Sequence, residues 1–210
     1  MTLEERPLPD WLNVSRETHH RLQEFYALVC KWNRAINLVS AASLEDGWRR
    51  HILDSAQLLP ISGCTAGPWL DIGSGAGLPG LVVAIMADET LPKVHVTLVE
   101  SDRRKSTFLS QAIRQLGLKA SVFPGRLESL PEMDASVVSA RAFAPLDKIL
   151  GLAARHMSEN GAGLFMKGQT YQAELNAAQQ NWRYECDVIP SKTDANAVIL
   201  KVQKVRHVQL

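Results

Sequence analysis

The segment Asp71-Ile72-Gly73-Ser74-Gly75-Ala76-Gly77-Leu78-Pro79-Gly80 separates two stretches of different texture. Before it, residues 69–72 are short and apolar, as a buried strand is. After it, residues 81–87 form an apolar run of helical character, with Pro79 near the first turn, where a missing N–H costs little. Glycines between a strand and a helix let the backbone turn sharply and let a ligand approach without a Cβ in the way. Strand, glycine loop and helix together predict a doubly wound α/β fold. In such folds the ligand lies at the carboxyl ends of the strands, near the point where strand order reverses.

Outward from this loop the alternation continues. Val94–Val99 reads as a β-branched strand and Arg103–Leu116 as an amphipathic helix stopped by Gly117. Ala120–Phe123 and residues 137–139 and 164–166 are further strands; residues 146–156 and 171–180 are helices. Residues 188–190 and 197–202 are closing strands. Strands alternating with helices imply βαβ units, a mostly parallel sheet and right-handed crossovers. Toward the N-terminus two helices are expected. The first is capped by Ser15 and buries Leu22, Phe25, Tyr26 and Val29. The second carries Leu44, Trp48, Ile52, Ser55 and Leu59 behind a capping box made of Ser43 and Asp46. Residues 60–68 read as a loop. The expected division is an N-terminal helical extension over residues 1–60 and the sheet domain over residues 61–210, packed as one unit.

Composition narrows the function classes. With 210 residues, 46% apolar and 21% charged, the chain suits one soluble domain and a modest extension. A net charge of +1 gives no long-range electrostatic case for nucleic acid, so any such case rests on local clusters. Cys30, Cys64 and Cys186 make no CxxC pair, no metal-ligand spacing and no disulfide framework. No metal site is expected, and a reducing cytoplasm is the simpler compartment. The charged, proline-interrupted start MTLEERPLPDW is not a signal peptide, and no apolar run approaches the ~20 residues of a membrane span.

Two cofactor types compete for the loop. Gly75-Ala76-Gly77-Leu78-Pro79-Gly80 satisfies the dinucleotide fingerprint GxGxxG, a weak signal alone. Glu100, at the end of the next strand, can accept hydrogen bonds from both hydroxyls of a ribose, which either cofactor would use. The wider loop resembles motif I of class I methyltransferases: an acid two residues before the first glycine, then glycines at alternate positions. Pro79 stands where a dinucleotide-binding helix would present N–H groups to a pyrophosphate. S-adenosylmethionine has no phosphate and needs no such cradle. In methyltransferases that Asp71 resembles, the acid orients the loop and the amino-acid end of the cofactor.

Several further segments resemble one family, the guanine-N7 methyltransferases of bacterial 16S ribosomal RNA (glucose-inhibited division protein B). They are Lys31-Trp32-Asn33-Arg34-Ala35-Ile36-Asn37-Leu38, His51-Ile52-Leu53-Asp54-Ser55, the glycine loop, Arg141-Ala142-Phe143-Ala144 and Lys167-Gly168. Their order and spacing agree from near Ser15 to the C-terminus. The resemblance implies S-adenosylmethionine as cofactor, held by Asp71, Gly73, Gly75, Gly77 and Leu78, with Glu100 on the ribose. It implies Leu127 and Glu128 beside the adenine and Arg141 toward cofactor and substrate. Leu78 stands where the family often has an aromatic residue, a departure that touches only a stacking contribution. The implied partner is 16S ribosomal RNA within a small-subunit particle, met by a monomer.

The end of the fourth strand, Ala140-Arg141-Ala142-Phe143-Ala144-Pro145, faces the transferred methyl in class I methyltransferases. It lacks the Asn/Asp-Pro-Pro-aromatic segment of amino-group methylases. No cysteine lies there to activate a pyrimidine carbon. An acceptor already nucleophilic, with a lone pair and no proton to lose, remains; guanine N7 is one, in agreement with the family. Arg141 and Lys167 are the expected catalytic residues. Arg126, Arg141 and Lys167 are the expected RNA contacts, with the Arg49-Arg50-His51 and Arg103-Arg104-Lys105 clusters nearby. Guanine O6, a phosphate and the cofactor carboxylate all suit Arg141. The bidentate O6/N7 pose does not, because N7 must be free to attack. His51 and Asp54 lie three apart on a helix and can touch, but N7 chemistry asks no base of them. Asn33 and Asn37 are expected to order their loop through the backbone. A nicotinamide oxidoreductase would need a Tyr/Lys or His/Asp pair beside the nicotinamide, for which no candidate stands out. A non-catalytic RNA- or ribosome-binding module would not need Asp71, the glycine loop and Glu100 intact.

Overall fold

The computed structural model describes residues 6–209. The reading of the N-terminal stretch rests partly on residues 1–5, which lie outside the described residues. Helix α1 (Arg16–Asn33) starts as expected, with the Ser15 hydroxyl accepting from the Thr18 N–H at 3.1 Å, and buries Leu22, Phe25, Tyr26 and Val29.

The second expected helix is broken. In its place stand α2 (Ala41–Leu44), one π-helical turn (Trp48–Leu53), α3 (Asp54–Ala56) and α4 (Leu58–Ser62). Ser43 and Asp46 form no capping box. The Ser43 hydroxyl donates to the Ser40 carbonyl at 2.7 Å and meets the His51 ring at 3.0 Å. The break follows from Gly47, where the chain crosses the Tyr26 ring so closely that a Cβ would lie 2.3 Å from its hydroxyl. The expected loop at 60–68 is shorter than predicted, because Pro60 sits in the first turns of α4, where its lost N–H has no intrahelical partner.

The sheet follows the predicted alternation: β1 (Gly67–Ile72), α5 (Gly80–Thr90), β2 (Val94–Val99), α6 (Arg103–Leu116), β3 (Ala120–Phe123), a 3-10 turn (Leu127–Ser129), β4 (Ala135–Arg141), α7 (Leu146–Ala153), β5 (Met157–Lys167), α8 (Tyr171–Asn181), β6 (Trp182–Pro190) and β7 (Val198–His207). Spatial order is β3-β2-β1-β4-β5-β7-β6. The first five strands run parallel, and β7 lies antiparallel between β5 and β6. Strand order therefore reverses between β1 and β4, which places a crevice over the glycine loop and the end of β4. Strands β5, β6 and β7 outrun their apolar cores. The start of β5, Ser158-Glu159-Asn160, carries polar side chains without the alternation that marks a strand. By contrast, β6 alternates half-buried Trp182, Tyr184 and Cys186 with exposed Arg183, Glu185 and Asp187 beyond the expected residues 188–190.

Successive residues of the central strands enter opposite cores, Trp69 and Leu70 on β1, Val137 and Val138 on β4, as the period of two requires. One core holds α5, α6 and the N-terminal helices; the other holds α7 and α8. Helix α5 is buried from Gly80 to Ala87 on every side because it lies between the sheet and α1. Polar contacts fasten the N-terminal segment to it: Ser15 and Thr18 donate to Glu89, and Arg21 bridges Asp88 at 2.9 Å and the Leu116 carbonyl at 2.9 Å. Among the described residues no helix is long and apolar enough to cross a membrane.

Candidate active site

A cavity of about 430 Å³ opens above the carboxyl ends of β1, β2 and β4. Gly73, Gly75, Leu78, Glu100, Arg126, Leu127, Glu128 and Arg141, all expected from the sequence, line it. Gly73 has φ +64°, and its missing Cβ leaves room for the Phe143 ring, which would lie 2.3 Å from that atom. Glu100 is buried at the end of β2. One carboxylate oxygen accepts the Gly75 N–H at 2.8 Å and the other the Asp102 N–H at 2.7 Å. Asp102 in turn caps α6 through the N–H groups of Arg104 and Lys105. Two lone pairs of a carboxylate are thus used on the backbone and two remain for hydroxyls from the cavity.

Asp71 and Gly77 do not form the cavity wall. Asp71 is fully buried behind the loop. It accepts from the Ser139 hydroxyl at 2.6 Å, which itself accepts the Trp69 indole N–H at 2.9 Å. Burial pushes its carboxyl up to about 6, against the lowering effect of hydrogen bonds from Ser139, Ser74 and the Gly80 backbone. Its second oxygen lies where a Cβ on Gly80 would be, 2.7 Å away, at the first turn of α5. The space at that helix N-terminus is therefore filled by a carboxylate oxygen of the chain itself, and Pro79 supplies no N–H beside it. A pyrophosphate has no place there. A carboxylate for ribose hydroxyls and apolar walls at Leu78, Val99 and Leu127 for a flat base fit S-adenosylmethionine instead.

A second cavity of about 850 Å³ adjoins the first, and Leu38, Val39, Arg141 and Ala142 line both. Arg141 stands on the partition: one terminal nitrogen donates to the Arg50 carbonyl at 2.9 Å, the other to His51 Nδ1 at 2.9 Å. Burial first, then the cations Arg141 and Arg50, lowers His51 to about 4, so its ring is neutral at physiological pH. His51 and Asp54 do not pair as the helix spacing suggested, because the π turn separates them. Asp54 instead accepts from Gln57 at 3.0 Å, Ser191 at 2.9 Å and Thr193 at 2.5 Å. These bonds clamp the β6–β7 loop over the second cavity. Lys167 lies in that cavity's wall but presents no free cation. Its ammonium donates to the Ala144 carbonyl at 2.6 Å and to Glu174 at 2.7 Å, which fixes the turn that follows Arg141.

Sequence reasoning missed three parts of this arrangement. The β6–β7 loop was not a candidate, since its partner Asp54 is more than 130 residues away in the chain. Leu38 and Val39 were legible only indirectly. Asn33, expected to order its loop, does so by accepting both their N–H groups at 2.8 and 2.9 Å, and so delivers them to the cavities. Phe143 carries no signal in the sequence beyond its place in the segment over residues 141–144; its exposure, 39% for a large apolar side chain, marks it in the structure. None of the three cysteines lines either cavity.

The family model described as rRNA small subunit methyltransferase G matches residues 18–198. A protein of Ruegeria sp. (strain TM1040) named ribosomal RNA small subunit methyltransferase G is 50% identical over 94% of this chain and 96% of its own length. One of the same name from Cereibacter sphaeroides (strain ATCC 17025) is 47% identical over 99% of this chain and all of its own. Among solved structures, an S-adenosylmethionine-dependent methyltransferase from Aquifex aeolicus superposes with a TM-score of 0.58 at 14% identity, over 87% of this chain and 98% of that one, a likeness of fold. With the family model spanning most of the chain and relatives near half identity along almost its full length, the chain belongs to the rRNA small subunit methyltransferase G family.

Proposed function

We propose that this chain transfers the methyl group of S-adenosylmethionine to N7 of one guanine in 16S ribosomal RNA, as a cytoplasmic monomer acting on a small-subunit particle. The methyltransferase activity and its cofactor come with membership of the family. The choice of atom is carried by one observation: the two cavities meet at Arg141, where the adjoining imidazole has its free lone pair already engaged by that arginine. A site so built suits an acceptor that needs no proton removed.

When bound, the cofactor supplies an electrophilic methyl on a sulfonium. Glu100 holds the ribose hydroxyls, and Leu78 and Leu127 take the faces of the adenine. The base enters from the second cavity. Arg141 orients it through O6, or anchors a phosphate or the cofactor carboxylate, and leaves N7 clear. Catalysis then rests on alignment of nitrogen, methyl and sulfur, worth up to roughly 7–11 kcal/mol. Lys167 contributes by holding the turn at Ala144. Arg126, exposed at the cavity mouth, is placed for the RNA backbone. The large apolar side chains left exposed among the described residues, Phe143, Val188 and Val208, are scattered, which supports a monomer.

The test is single-turnover transfer of labelled methyl from saturating cofactor to 16S RNA, free and in small subunits, across about pH 6 to 8.5. Incorporation into 16S but not 23S RNA is expected. No ascending limb should come from His51, which is lowered to about 4 and stays neutral throughout this range. Asp71, raised to about 6, titrates behind the loop and bears on cofactor affinity, which saturation removes from the rate. A one-proton rise abolished by His51→Ala would mean that a base takes part and would contradict N7 as the acceptor.

A further inference from the structure

We infer that His51 is a positioning residue: its neutral ring, with the proton on Nε2, holds the Arg141 guanidinium on the partition between the two cavities. The proton positions follow from chemistry alone. A guanidinium has only donors, so His51 Nδ1, 2.9 Å from an Arg141 terminal nitrogen, accepts and carries no hydrogen. The hydroxyl proton of Ser43 goes to the Ser40 carbonyl at 2.7 Å. Its oxygen therefore accepts from His51 Nε2 at 3.0 Å. Every hydrogen in the series Arg141, His51, Ser43, Ser40 points the same way.

The geometry of the main chain completes the device. Arg50 offers its carbonyl and His51 its imidazole, consecutive residues of one π-helical turn, and both meet the same guanidinium. Turns of this kind recur at functional sites because the extra residue redirects groups that an α-helix would bury in its own ladder. The other three of the arginine's five N–H groups stay available to the cavities. The charged groups facing the ring are Arg141 from the end of β4 and Arg50 on its own turn, and both oppose a second proton. Protonation would turn Nδ1 into a donor facing a cation and release Arg141. That Arg141 serves methyl transfer rests on the function proposed above; the state of the ring does not.

The experiment has two arms. Long-range proton–nitrogen spectra of the 15N-labelled full chain, without RNA, should show His51 protonated on Nε2 and bare on Nδ1 from about pH 5.5 to 8. Loss of the signals in His51→Asn assigns them. In steady-state methylation, His51→Ala should lower kcat about tenfold, the equivalent of one charged hydrogen bond, with a smaller change in KM. His51→Asn keeps an acceptor near Nδ1 and should restore most of the rate; His51→Gln, which reaches only toward Ser43, should not. An Nδ1-protonated ring, a titration near the ordinary histidine value, or equal rates for the Asn and Gln variants would overturn the inference. A wild-type chain that leaves RNA unmethylated while the ring spectrum holds would overturn the proposed function and leave the positioning of Arg141 intact.

Discussion

Replacing Glu100 with alanine should weaken S-adenosylmethionine by about 1.5–3 kcal/mol, a loss of roughly 10- to 150-fold in affinity. The expectation combines two losses. The carboxylate is the acceptor available for both ribose hydroxyls at the end of β2, and it also holds the glycine loop through the Gly75 N–H and the start of α6 through the Asp102 N–H. Without it the loop is no longer preorganised. Glu100→Gln separates the two contributions, because the amide keeps one acceptor for the backbone but loses the charge and the second acceptor. Its affinity should fall between wild type and Glu100→Ala. Calorimetry on the isolated chain reads both. An unchanged dissociation constant in Glu100→Ala would remove Glu100 from the cofactor site and leave it a loop latch.

Arg141→Ala should lower single-turnover methylation about 100-fold at saturating cofactor, since loss of orientation by ~1 Å is enough for a change of that size. The fold should survive. Arg141 lies at a strand end against the cavities, and its partners, the Arg50 carbonyl and His51 Nδ1, border the second cavity. Arg141→Lys should recover only part of the rate. A lysine carries the charge but cannot span two fixed acceptors with a planar fork and still present further donors. Denaturation midpoints close to wild type alongside the rate loss would distinguish this from unfolding. If Arg141→Ala kept the wild-type rate, the arginine would serve only to tie β4 to the π turn.

What was legible in the chain was what neighbours in sequence determine. The glycine loop, β2, α6 with its Gly117 stop and β3 have the predicted bounds because propensity, period and caps all act within a few residues. The cofactor wall was legible for the same reason: Gly73, Gly75, Leu78 and Glu100 belong to one βαβ unit. The helix expected over residues 44–59 was not, because the apolar spacing there records burial but not the crossing of Gly47 over Tyr26, which breaks it. Lys167 read as a free strand-end cation. Its partner Glu174 is only seven residues on, but a tight turn and a new helix lie between them, so no periodicity links the two. The substrate cavity was the least legible part. Asp54 meets Ser191 and Thr193 only after the antiparallel β6–β7 pair has returned to the sheet, a contact that no local pattern encodes.

The central claim is the atom that receives the methyl group. N7-methylguanosine is cationic in its imidazole ring, so mild borohydride reduction opens that ring and aniline then cuts the chain there, whereas guanine methylated on N1 or N2 survives. Applied to 16S RNA after incubation with the wild-type chain and labelled cofactor, the treatment should release the label at one cut, at a single guanine. The cut should fade in step with activity in Arg141→Ala. Label that stays in uncut RNA, recovered as an N1- or N2-methylguanine or as a methylated pyrimidine, would contradict the account.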